Sequence, residues 1–205
     1  MPSFQFGFQR GFECFQAMRS LCLVLVDSVG KGEILVISAY NITNTFGSLI
    51  HSQAMLELIR RWVAIDFVGP LFYMYRHLKV RLKIEGSIVP VDIHVYIGIK
   101  QGAITSPTVY NNATLPAQDS IPISCVVKAT NASVLCYEDD LLNLSRSVSS
   151  PEEGFNVISS EFRKIGLNLN AGKSQVLLFN CPSELCSASV NLGGHSLPRL
   201  KSLFT

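Results

Sequence analysis

Apolar residues recur along the chain with two different periods, and the switches between them mark out the elements. Between residues 12 and 29, Phe15, Met18, Leu21, Cys22 and Leu25 return every three or four positions, which predicts a helix closing near Gly30. Residues 34–40 form a short apolar run, read as a buried strand. Helical spacing resumes over 49–62, with Leu56, Ile59 and Trp62 expected on the core side and Arg60 and Arg61 outside. A further helix over 65–77 is expected to be interrupted near Gly69-Pro70. Over 80–84, Arg and Lys alternate with apolar residues as in a half-exposed strand; Gly86 marks a turn and 89–97 return as its partner. A glycine-bounded loop, 98–107, leads into a helix over 108–115. Strands follow at 124–128, 134–137 and 141–144. Ser150 is the expected N-cap of a helix that carries Glu152 and Glu153 in its first turn and ends near Gly166, before a last strand at 175–179. Helices and strands mixed without regular alternation predict an α+β fold rather than a doubly wound sheet.

Chemistry enters between two of those strands. Tyr137-Glu-Asp-Asp140 places adjacent carboxylates where a tight hairpin turns. Neighbouring carboxylates repel, and both stay ionised cheaply when a cation, usually a divalent metal, holds them. Taken alone, the four residues are better described as an ordinary turn, since Asp is a favoured turn residue, and the rest of the chain has to decide.

Composition narrows the class. The chain's 205 residues suit one domain with at most a small appendage. With 48% hydrophobic and only 16% charged residues it carries surfaces suited to being covered by neighbours. A net charge of +2 excludes a polycation, so any nucleic-acid contact must be local. The six cysteines show no Cys-x-x-Cys spacing and read as reduced thiols. Cys181 and Cys186, with His195 beyond, lack a fourth zinc ligand at sensible spacing. Residues 1–18 are too polar and aromatic for a signal peptide, and the apolar run 21–26 is too short to span a membrane. The expected setting is therefore intracellular, nuclear or cytoplasmic, with no membrane partner; oligomeric state is left open.

Four motifs arrive in a fixed order. Gln5-Phe-Gly-Phe-Gln-Arg-Gly11 is similar to a Gln-x-Gly-Phe-Arg-x-Gly stretch in the fingers of LINE-like (non-LTR retrotransposon) reverse transcriptases. Gly98-Ile-Lys-Gln-Gly-Ala-Ile-Thr-Ser-Pro107 resembles their Gly-Val-x-Gln-Gly-x-x-x-Ser-Pro motif. Tyr137-Glu-Asp-Asp140 resembles the Tyr-Ala-Asp-Asp catalytic turn, and Gly166-Leu-Asn-Leu-Asn-Ala-Gly-Lys-Ser174 the Gly-Leu-x-x-Asn-x-x-Lys-Ser segment after it. Each is weak alone; together, over residues 5–180, they make coincidence remote.

The resemblance implies an α+β right-hand polymerase palm, an antiparallel sheet with packed helices, plus partial fingers and no thumb. The expected division is a reverse transcriptase domain over 1–180 (about 1–33 a fingers remnant, 34–180 mainly palm) and a truncated tail over 181–205. The implied reaction is RNA-directed DNA synthesis: a primer 3′-hydroxyl attacks the α-phosphate of a dNTP on an RNA template. Two Mg²⁺ ions about 4 Å apart assist by lowering the hydroxyl's pKa and neutralising charge on the leaving oxygens. Asp139 and Asp140 match the turn's metal-binding pair. Gln101 and Gly102 match residues that contact template and nucleotide, and Phe46 an aromatic gate against the ribose 2′-hydroxyl. Lys173 matches a lysine that neutralises pyrophosphate, although a solvated turn lysine fits as well. Arg10 stands one position from the expected finger arginine, where Gln9 lies. Arg81 and Lys83, with Arg76 and Lys79, form a basic cluster suited to a phosphate backbone or to a solvated strand face.

One segment departs. The family's first palm motif reads Asp-x-Ser-Lys-Ala-Phe-Asp; here it is Asn41-Ile-Thr-Asn-Thr-Phe-Gly47, so Asn41 and Gly47 replace both aspartates. An amide bridges two cations poorly, and transition-state electrostatics dominate this chemistry. Glu138 adds a third negative charge beside Asp139, expected to repel an incoming triphosphate. The expectation is a degenerate catalytic position at Asn41, Mg²⁺ held weakly or not at all, and an enzyme inactive or strongly impaired. Two alternatives stand beside it: a non-catalytic nucleic-acid-binding remnant, and a decayed fragment without stable structure.

Overall fold

A strand of nine residues, Leu35–Thr43, runs through the middle of a five-stranded sheet and carries Asn41 toward its exposed end. The structure is a computed structural model and describes residues 5–9, 11, 13–182 and 189–201. In chain order the elements are α1 (Cys14–Lys31), β1 (Leu35–Thr43), α2 (Thr45–Ser48), α3 (His51–Arg60), α4 (Ile65–Arg76), β2 (Lys79–Val80), β3 (Lys83–Ile84), β4 (Ser87–Ile88) and β5 (Ile93–His94). They continue with α5 (Ser106–Asp119), β6 (Val126–Val127), β7 (Thr130–Asn131), β8 (Val134–Tyr137), β9 (Asp140–Ser145), α6 (Ser150–Lys164), β10 (Asn168–Phe179), β11 (Val190–Leu192), β12 (His195–Leu197) and β13 (Arg199–Lys201). The chain divides into two compact units: residues 1–43, 114–163 and 167–205 form the first, and residues 44–113 and 164–166 the second.

The first unit is built on the sheet β13-β10-β1-β9-β8, antiparallel except where β13 joins β10 in parallel. Alternation sends Leu35 and Ile37 to one face, where they pack with Val24 of α1, Leu135, Leu144 and Phe6. The opposite face meets α6. There Tyr40 donates a 2.7 Å hydrogen bond to the Pro151 carbonyl and its ring abuts Phe155 at 5.6 Å. Burial pushes the Tyr40 hydroxyl's pKa far up. The same burial raises the thiols of Cys125, to about 11, and Cys136, so both resist ionisation.

In the second unit α3 and α4 pack together, with the His51 ring 4.6 Å from that of Tyr75. Helix α3 buries His51, Ala54, Met55 and Leu58, an i, i+3, i+4, i+7 stripe. This corrects the expected face: Leu56 and Ile59 lie outside it and Trp62 is 94% exposed. A three-to-four-residue period admits two stripes, and packing selected the one that begins at His51. Helix α4 runs unbroken through Pro70 and buries Val68, Leu71 and Tyr75. The expected hairpin over 80–97 survives only as two two-residue ladders, β2 with β5 and β3 with β4.

Other differences are of extent. Helix α5 is longer at both ends than expected, and β10 begins at Asn168 rather than 175. Ser150 is the first residue of α6 rather than its cap. The tail contributes β11, β12 and β13, which its Ser, Gly and Pro content did not suggest. Among the described residues no helix is long and apolar enough to cross a membrane.

Candidate active site

Tyr137 and Asp140 face each other across the β8–β9 ladder, leaving Glu138 and Asp139 as a two-residue turn. Of the pair only Glu138 has positive φ, +57°, the pattern of a II′ turn, which favours glycine at that position. An unassisted Glu would resist that geometry. The N-terminal segment supplies the assistance. Gln5, 1% exposed, accepts the Glu138 N–H through Oε1 (3.1 Å) and donates from Nε2 to the Glu138 carbonyl (3.2 Å). The same Oε1 accepts the Gly7 N–H (2.8 Å), and Phe6 N–H bonds the Cys136 carbonyl (2.8 Å). A Cβ at Gly7 would stand 2.3 Å from the Glu138 nitrogen, so the approach requires glycine. The Gln-x-Gly stretch thus braces the acidic turn from within the first unit.

Beside the turn, β1 and β10 lose register between Ala39 and Asn41: Ala39 pairs with Gln175, but Asn41 pairs with Asn170. The extra residues of β10 form a bulge. Asn170 Oδ1 accepts the Lys173 N–H (3.2 Å), and Ser174 Oγ donates to the Asn170 carbonyl (2.8 Å) while accepting the Asn41 N–H (3.3 Å). The residues of the Asn-x-x-Lys-Ser motif therefore serve first to close this bulge, beside which Lys173 lines a cavity. On the other side, β1 pairs with β9 up to Tyr40 and Leu141, so one further step sets Asn41 abreast of Asp140.

These displacements meet in a cavity of about 330 Å³, lined by Asn41, Asp140, Lys173, Tyr137, Gln175 and, from α1, Cys14 and Met18. Asp140's carboxyl is raised above the ordinary carboxylate range, first by partial burial and then by the charge of Asp139. Asp139 sits exposed at the tip. Among the described residues no three His, Cys, Asp or Glu side chains gather as metal ligands. The donors present are two carboxylates and the Asn41 amide, which fits one Mg²⁺ held through one or two carboxylates and does not fit a pair of bridged ions.

The other sequence-derived candidates lie in the second unit, with Phe46, Gln101, Gly102, Arg81 and Lys83 all inside 44–113. Half-buried Phe46 lies 5.4 Å from the Tyr110 ring, and its carbonyl accepts the Ile99 N–H (2.7 Å), tying it to the Gly98 loop. His51 Nε2 donates to the Gly98 carbonyl (2.5 Å), and Gly98, at φ +90°, lies too close to Gly47 to carry a Cβ. Gln101 and Gly102 are exposed, Gly102 at φ +79°. Arg81 and Lys79 share Asp92, at 2.6 and 3.5 Å, and the pairing lowers the Asp92 carboxyl's pKa. Lys83 is exposed and has no such partner among the described residues, so one carboxylate offsets one of the cluster's four positive charges. Arg10 and Cys186 lie outside the described residues, and His195 lines a different cavity. The sequence reading missed Gln5, Asn170 and Ser174 as structural agents, although each is a fixed letter of its motif.

The family model for reverse transcriptase (RNA-dependent DNA polymerase) matches residues 2–197. No curated protein matches the sequence. Among solved structures the chain resembles apo telomerase from Candida tropicalis truncated of its C-terminal domain (TM-score 0.59, 11% identity, 95% of this chain and 39% of that one). Telomerase from Candida tropicalis with a fragment of telomeric RNA gives TM-score 0.62 and 13% identity over 86% and 30% of the two chains. The corresponding Candida albicans complex gives TM-score 0.52 and 13% identity over 90% and 32%. The chain thus spans between 30% and 39% of these telomerases' lengths, and the likeness is one of fold: a mixed α+β polymerase palm with an antiparallel sheet and packed helices.

Proposed function

The chain belongs to the reverse transcriptase (RNA-dependent DNA polymerase) family, and from that premise we propose that it is the palm and part of the fingers of a LINE-like enzyme whose polymerase chemistry is severely impaired. The single observation that carries the impairment is Asn41, an amide abreast of Asp140 where the resemblance expects the bridging aspartate. The retrotransposon ancestry rests on four motifs in order, from Gln5 to Ser174.

In the proposed reaction a bound Mg²⁺ would supply charge to lower the primer hydroxyl's pKa and to offset negative charge on phosphoryl oxygens. Asp139 and Asp140 would hold it, and Asn41 would add only a neutral carbonyl. Lys173, at the same cavity, would neutralise departing pyrophosphate. Phe46, Gln101 and Gly102 would meet the incoming dNTP and template, and Arg81 and Lys83 the RNA–DNA backbone. Arg10, one position from the expected finger arginine, would contact nucleotide or template. The telomerase complexed with telomeric RNA lends support to an RNA strand as template. Its setting would be intracellular.

Glu138 works against triphosphate entry by adding charge at the turn. A folded chain with weak metal binding would still engage nucleic acid through its exposed lysines and arginines. Binding without synthesis is the second reading, favoured by Lys83, which has no ion-pair partner among the described residues.

Primer extension on an RNA template with Mg²⁺ or Mn²⁺ tests the proposal. The unmodified chain is expected to extend negligibly, and the Asn41→Asp, Glu138→Ala double variant to recover measurable extension. Robust extension by the unmodified chain overturns the impairment. A folded double variant that binds hybrid yet never extends favours binding without synthesis.

A further inference from the structure

A second cavity, of about 230 Å³, opens in the first unit where α6, the start of β10 and the β11–β12 turn converge. It is distinct from the acidic cavity: the two share no lining residue, and α6 with the β11–β12 turn walls this one whereas Cys14 and Met18 of α1 line the other. We propose that this cavity binds a phosphate oxyanion, with Arg163 as its charged anchor.

Helical spacing puts Phe155, Ser159 and Arg163 on one stripe of α6, at i, i+4 and i+8. Ser159 is 7% exposed and Arg163 lies at the surface, so the stripe runs from floor to mouth. From β10 come Asn168 and Asn170. The Asn170 oxygen is already taken by the Lys173 N–H, which leaves its NH₂ group as the free end. The turn supplies His195. Gly193 and Gly194, at φ +55° and +88°, form the tight turn, and a Cβ on Gly193 would come within 2.9 Å of the Phe155 ring. That contact seats the turn on α6 and brings His195 to the cavity.

The donor inventory decides the ligand class. The side chains of Arg163, Ser159, Asn168 and His195 have no hydrogen-bond or ion-pair partner within the described residues. Among those residues no carboxylate lines the cavity. A guanidinium fork, a hydroxyl and amide N–H groups without an opposing acid suit a tetrahedral oxyanion, and the Arg163 charge with no carboxylate beside it disfavours a cation. Inorganic phosphate and a nucleic-acid backbone present the same oxygens to these walls. The site shares no residue with the acidic cavity and does not depend on polymerase activity.

The test is ¹H–¹⁵N NMR of the full chain, following Arg163 Nε–H and the Gly193 and Gly194 amides. Inorganic phosphate is titrated against sodium chloride at matched ionic strength, and then a single-stranded RNA without terminal phosphates. Phosphate is expected to move these signals saturably and chloride not, with Arg163→Gln weakening binding about tenfold. Ser159→Ala, a smaller change, is expected to weaken it less. RNA moving the same signals at lower concentration assigns the source to a backbone; RNA leaving them unmoved assigns it to free phosphate. If phosphate and chloride act alike, or if Arg163→Gln binds as tightly as the unmodified chain, the proposal is overturned.

Discussion

The side-chain amide of Gln5 satisfies both backbone polar groups of Glu138, accepting its N–H at 3.1 Å and donating to its carbonyl at 3.2 Å. One buried side chain thereby holds a turn residue at φ +57°, a conformation Glu adopts reluctantly. Gln5→Ala is expected to destabilise the chain by about 2 kcal/mol, the sum of lost hydrogen bonds and partly desolvated backbone groups. Gly7→Ala should be at least as damaging, because the approach it blocks is to the Glu138 backbone. Urea unfolding of both variants gives the measurement. A change below the error of the melt for Gln5→Ala would show that the N-terminal segment does not brace the turn.

Asp140 has its pKa raised by burial and by Asp139. A folded pKa above the unfolded one means that the folded state holds the proton more tightly. This group's contribution therefore falls as pH rises from the unfolded value through the folded one. Asp140→Asn is accordingly expected to be more stable than the unmodified chain above that window and similar to it below. Asp139→Asn should lower the Asp140 pKa part of the way, leaving the contribution of burial. Carboxyl ¹³C titrations and urea melts at acidic and neutral pH report both.

Asn41→Asp adds a carboxylate abreast of Asp140. Affinity for Mn²⁺ is expected to rise at least about tenfold, roughly 1.4 kcal/mol, as a third charged oxygen donor joins two. Without metal the same substitution should raise the Asp140 pKa further through like-charge repulsion. Calorimetric titration with Mn²⁺ and the carboxyl titration separate the two effects.

Asp92 restrains Arg81 and Lys79 at an exposed position. Asp92→Asn is expected to leave stability essentially unchanged, since exposed ion pairs contribute little. It should tighten binding of an RNA–DNA hybrid and steepen its salt dependence by about one unit of slope for each further phosphate that the freed cations neutralise. Binding isotherms across a salt series measure this. An unchanged slope would mean that these cations do not face the nucleic acid.

Ser174 bridges the bulge between the Asn41 N–H and the Asn170 carbonyl. Ser174→Ala is expected to destabilise by about 1 kcal/mol. It should also loosen the bulged part of β10, seen as faster hydrogen exchange at Asn41 and Lys173.

By itself the sequence determined the family, the α+β class and the acidic hairpin, because local periodicity and four ordered motifs carry that information within short windows. It also singled out Asn41, where the resemblance expects an aspartate, since identity at one place needs no coordinates. What depended on long-range packing was decided only by the tertiary structure. Leu56, Ile59 and Trp62 formed as good a stripe as His51, Ala54, Met55 and Leu58, and only the fit of α3 against its neighbours chose between them. The β1–β10 bulge needed two strands more than a hundred residues apart to meet, so Ser174 could not show its role in isolation. Gln5 is the plainest case: its partner, Glu138, lies 133 residues away. No pattern of neighbouring residues can announce a hydrogen bond that exists only once the chain has closed on itself.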